Sequence, residues 1–146
     1  MMKLHRIAGE IMGFFEAFEG SRPALDSREI LIVRGMSRKR MNADDMSREL
    51  DSLIEHLGAT ELDLLSEEGA ALIGVMDEQI RSCVEVGTET DIGGIHRLKE
   101  SLEDMNFSVD YRLCMADETG LFVVLYRDRS GVGPCFVEAV VSDLSE

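Results

Sequence analysis

Residues 91–127, DIGGIHRLKESLEDMNFSVDYRLCMADETGLFVVLYR, read as one helix followed by two strands and the turn that joins them. Ile92, Ile95, Leu98, Leu102 and Met105 recur at helical spacing and give the helix one apolar face. Phe107, Val109, Tyr111, Leu113 and Met115 then alternate with Ser108, Asp110, Arg112 and Cys114, the period of a half-buried strand. Glu118-Thr119-Gly120 supplies the turn, and Leu121 to Tyr126 returns as an apolar run suited to a sheet interior. Beyond a loop at 128–134 comes a last strand. Cys135, Val137, Ala139 and Val141 share one of its faces, and Phe136, Glu138 and Val140 the other.

The same plan recurs upstream. Asn42 is placed as an N-cap with Asp44 and Asp45 in the first turn; Met46, Leu50, Leu53, Ile54 and Leu57 form an apolar face, and Gly58 stops the helix. Leu62 and Leu64 then mark a short strand, Ser66-Glu67-Glu68-Gly69 a hairpin turn, and Ala70 to Met76 its partner. Alternation from Ile80 to Val86 adds a further strand. Gly69 and Gly120 stand 51 residues apart, and Glu85 and Glu138 occupy matching places after them. With Ile30 to Val33 as a central strand, the order predicts an internally duplicated α+β domain. Two β-α-β-β units, the first at 29–79 and the second, with one last strand, at 80–142, would form a mainly antiparallel sheet with helices on one face.

Residues 1–20 precede both units. Leu4, Ile7, Ile11, Phe14, Phe15 and Phe18 recur every three or four residues, with Arg6, Glu10 and Glu16 between them: an amphipathic helix ended by Gly20 and Pro23. Such a stripe either covers a face of its own domain or docks on a partner. Because it lies outside the duplicated region, Leu4, Ile7, Ile11, Phe14 and Phe18 are candidate interface residues, joined by Phe136 on the last strand. A chain lacking Met1 to Gly20 is then expected to fold.

A length of 146 residues suits a single domain that buries roughly two thirds of its unfolded surface. The 29 acidic against 15 basic residues, a net charge of -14, repel a phosphate backbone, so nucleic acid is not expected as a partner. The longest uncharged runs, such as Gly69 to Met76, fall far short of the ~20 residues that cross a bilayer. Glu10, Glu16 and Glu19 also interrupt what an export signal would need as a continuous apolar segment. A soluble cytoplasmic protein with no membrane partner follows. Cys83, Cys114 and Cys135 are odd in number and widely spaced, and each falls in a predicted strand. Without C-x-x-C or H-x-x-x-H spacing they read as buried small hydrophobes, and no metal is expected.

Arg34-Gly35-Met36-Ser37-Arg38-Lys39-Arg40 concentrates positive charge where a strand hands over to a helix. Backbone N–H groups at a helix start, strengthened by Arg34, Arg38, Lys39 and Arg40, can cradle an anion. The spacing is not that of a P-loop, and a solvated loop is the alternative. The junction Gly87 to Gly94 lacks G-x-G-x-x-G, and its Glu89 and Asp91 oppose bound phosphate, so no cofactor is expected.

In its element order the chain resembles the duplicated strand-helix-strand-strand modules of GyrI-like ligand-binding domains. There an acidic residue in the sheet groove receives a cationic ligand, a part that would fall to Glu85 and Glu138. Ile7 to Arg40, above all Ala24-Leu25-Asp26 through Ile30-Leu31-Ile32-Val33-Arg34-Gly35, is similar to small conserved proteins of methanogenic archaea grouped as a domain of unknown function. This resemblance spans about the first third of the chain and implies a cytoplasmic archaeal protein, with no activity or site attached.

Three function classes remain. A non-catalytic module would bind another protein or a second copy through the acidic surface, the N-terminal helix or the Phe136 face. A small-molecule binder would take an anion at Arg34 to Arg40 or a cation at Glu85 and Glu138. An enzyme would use Glu85 or Glu138 as a general base, yet neither has a histidine, serine or lysine beside it in sequence. The first class asks for no chemistry that the sequence lacks, and it is the preferred expectation.

Overall fold

The computed structural model describes residues 2–15, 17–19, 23, 25–37, 43–63, 66–85, 109–127 and 135–144. Their order is α1 (Met2–Phe14), β1 (Ala17–Glu19), β2 (Leu25–Asp26), β3 (Ile30–Ser37), α2 (Ala43–Leu57), β4 (Thr60–Leu62), α3 (Glu67–Glu85), β5 (Val109–Met115), β6 (Gly120–Arg127) and β7 (Cys135–Asp143). All the strands join one antiparallel sheet in the order β1-β3-β7-β6-β5-β4, and β2 also pairs with β3. The protein is thus α+β with an N-terminal helix, as the patterning predicts. The helix expected at 91–105, the Asn42 cap and the loop at 128–134 lie outside the described residues.

Two apolar layers hold the sheet between helices. On one face Leu31 and Val33 of β3, Phe122 and Val124 of β6, and Val137, Ala139 and Val141 of β7 pack with α1 and α2. On the other, Ile30, Ile32, Leu121, Val123 and Val140 pack with Met76 and Ile80 of α3. Alternate residues of one strand feed opposite layers. The continuous apolar runs at 30–33 and 121–124 are therefore those of strands buried on both sides. Helices lie on both faces, where the sequence pattern had placed them on one. No described helix is long and apolar enough to cross a membrane.

α3 is the main departure from the expected order. Ser66-Glu67-Glu68-Gly69 does not turn a hairpin; it starts a helix. Ser66 Oγ accepts the Gly69 N–H at 3.0 Å and donates to the Asp63 carbonyl at 2.6 Å. This is N-cap geometry, and Glu67 and Glu68 place negative charge in the first turn, where the helix dipole favours it. Leu72, Ile73, Met76, Ile80 and Cys83 then form one helical face on the sheet. The strands expected at 70–76 and 80–86 are one continuous helix through Glu85, so Cys83 is helical and the parallel between the two halves fails here.

Two glycines show what local geometry demands. Gly58 ends α2 at φ 64°, donating to the Glu55 carbonyl at 3.1 Å while Ala59 donates to that of Ile54 at 3.0 Å, a left-handed cap as its position predicts. Gly120 opens β6 beneath α1, where an added Cβ would lie 3.1 Å from Lys3 Cε and 3.3 Å from Ile7 Cδ1. Gly9 and Gly74 differ: they sit exposed within α1 and α3, and a Cβ there would meet nothing. Gly9→Ala and Gly74→Ala should each raise stability by roughly 0.5–1 kcal/mol through reduced unfolded-state freedom. Urea melts would read this; a lower midpoint at either position would mean that its glycine meets a constraint the helix geometry does not reveal.

Candidate functional site

Register decides which charged groups meet inside the sheet. β3 pairs with β7 so that Arg34 lies opposite Glu138, whose other neighbour is Leu125 of β6. Both side chains project to the α3 side, continuing the rows of Ile30 and Ile32 and of Val140. Arg34 Nε donates to Glu138 Oε2 at 2.5 Å. Glu138 is 1% exposed, and the Arg34 side chain 18%. A carboxylate so enclosed has lost its hydration, and the guanidinium supplies the opposite charge and the hydrogen bond that replace it. This is the geometry of a counter-ion. A substrate has no open approach to Glu138 as a general base.

The other predicted residues are dispersed. Glu85 is the last residue of α3, on a helix and not on a strand matching β7, and its side chain is outside the described residues. The same holds for Arg38, Lys39 and Arg40, and for the side chains of Phe18 in β1 and Phe136 in β7. Arg34, expected at the edge of an anion-binding loop, lies within β3 and turns to Glu138. Leu4, Ile7 and Ile11 are buried in the protein's own core, with Phe14 packed half-buried against it. The stripe of α1 therefore faces β3, β6 and β7.

Two polar clusters escape a linear reading. Arg112 of β5 joins α2 to the sheet edge: its guanidinium donates to Ser47 Oγ at 2.9 Å and lies 3.3 Å from Glu61 and 3.5 Å from Asp51. Its only sequence signal is a charge in the polar register of an alternating strand. Lys3 of α1 reaches the β5–β6 turn, bonding Thr119 Oγ1 and pairing with Asp117 at 2.9 Å. Asp117 Oδ1 also accepts the N–H groups of Thr119 and Gly120 at 2.9 and 2.7 Å. Desolvation alone would raise the Asp117 pKa; Lys3 and the two backbone donors outweigh it and hold the carboxyl below its usual range. Both clusters fasten helices to the sheet.

Beside Arg112, Cys114 is fully buried. Burial and the Glu61 carboxylate push its thiol up to about 12 against the opposing effect of Arg112. A thiol at that value carries almost no thiolate at neutral pH, so it is neither a nucleophile nor a ready metal ligand. Iodoacetamide at pH 8 should leave Cys114 unmodified in the folded protein and label it in urea, as read by peptide mass spectrometry. Rapid labelling of the native chain would contradict this assignment.

Outside the core the helices carry dense negative charge. α2 has Asp44, Asp45, Glu49, Asp51 and Glu55 against Arg48, with Asp44, Asp51 and Glu55 exposed. Along α3, Glu78 joins Glu29 and Asp143 in lining a cleft of about 230 Å³. Among the described residues, no histidine, cysteine or carboxylate group stands in a cluster able to hold a metal ion.

Residues 6–141 match the model of a family described as "Uncharacterized protein conserved in archaea (DUF2120)". The similarity seen in the first third of the sequence thus extends over nearly all of the chain. The "Uncharacterized protein MJ0491" of Methanocaldococcus jannaschii is 28% identical over 139 residues, covering 90% of this chain and 78% of that protein. No solved structure matches.

Proposed function

The chain belongs to that archaeal family of conserved uncharacterized proteins, and on this premise we propose a cytoplasmic, non-catalytic protein-interaction module whose acidic helical surface receives a basic partner. The observation that carries the reading is the outer face of α2. Its apolar residues Met46, Leu50 and Leu53 are all committed to the core, which leaves Asp44 and Glu55 turned to solvent, with Asp51 exposed beside Arg112. Opposite charge on a partner would be drawn to such a surface and oriented by it, with an affinity that falls as salt rises. The ionic groups inside the fold support this reading indirectly. Arg34 with Glu138, and Arg112 with Asp51 and Glu61, are engaged in joining elements of the sheet and its helices. Of the residues on which the small-ligand reading rested, Arg34 to Arg40 for an anion and Glu85 with Glu138 for a cation, Arg34 and Glu138 are bonded to each other.

The test is fluorescence anisotropy with a labelled octalysine peptide at low and physiological salt. Two variants of equal charge change are compared: Asp44→Asn/Glu55→Gln on α2 and Glu68→Gln/Glu78→Gln on α3. The α2 variant should bind on the order of tenfold more weakly, equivalent to about 1.4 kcal/mol, and the α3 variant should stay near the parent. Equal losses in both would reduce the effect to net charge and sink the assignment to α2. Light scattering of the parent would test self-association as the other form of the same module.

A further inference from the structure

We draw no further inference here: the strongest candidate, the cleft between α3 and the end of β7 where Glu29, Glu78 and Asp143 gather, is a cluster of acidic residues beside which nothing among the described residues points to a bound ligand.

Discussion

A chain lacking residues 1–15 is expected to lose cooperative folding altogether. α1 and the residue after it contribute Leu4, Ile7, Ala8, Ile11, Met12 and Phe15 to the core, each 3% exposed or less. The five large side chains among them are worth roughly 1.5–3 kcal/mol apiece. Their sum is comparable to the whole stability of a domain, about 5–15 kcal/mol. The deletion also uncovers Leu31, Val33, Val137, Ala139 and Val141, so the sheet would present a sticky apolar face in place of a packed one. Circular dichroism melts and a dye that reports exposed apolar surface would show a broad, dye-binding state. A sharp transition within a few degrees of the parent would show that α1 is an accessory after all. Ile11→Ala isolates the packing contribution and should cost about 2–5 kcal/mol. The helical stripe in the sequence was compatible with a detachable arm; its burial reverses that expectation.

Glu138→Ala should cost about 3–5 kcal/mol, because it takes from the largely buried Arg34 guanidinium the carboxylate that lies 2.5 Å from it. The pair itself need not be strongly stabilising, since the attraction is offset by the desolvation of two charges. The informative comparison is therefore the double variant Arg34→Met/Glu138→Leu, which should recover most of the loss and come within about 1 kcal/mol of the parent. Glu138→Gln keeps an acceptor oxygen and should fall between the two. Chemical unfolding of the parent, Arg34→Met, Glu138→Leu and the double variant reads the cycle. Additive losses would mean that the two groups act separately, and a cost under about 1 kcal/mol for Glu138→Ala would mean that water reaches the carboxylate. Both outcomes are incompatible with the geometry described above.

Much of the architecture was legible. β3, β6 and β7 announced themselves as apolar runs, α2 through its stripe and Gly58, and the β5–β6 turn through Gly120. α3 was partly legible as well: Ser66 followed by two glutamates is a helix-start signature. It was obscured because Ala70 to Met76 is a short apolar run, which periodicity alone cannot divide between helix and strand. The uninterrupted run at 30–33 also held a signal for helices on both faces, since a strand with one wet face would alternate. For the candidate site, the sequence marked Glu138 as a carboxylate among apolar residues but gave it the wrong counterpart in Glu85. The residue it meets, Arg34, is 104 positions away and had been read with the basic loop.

The sequence by itself determined the Gly58 cap, the strand periods at 30–33, 121–124 and 135–141, the acidic balance and the family, because each is written in residues along the chain or in totals over it. Only the tertiary structure decided that α3 lies opposite α1 and α2, that the stripe of α1 is core, and that Arg34 and Arg112 meet the partners they do. Those outcomes depend on strand register and on which layer a helix covers. A local pattern fixes the side chains that must leave water; the packing of the whole sheet selects the surface that receives them.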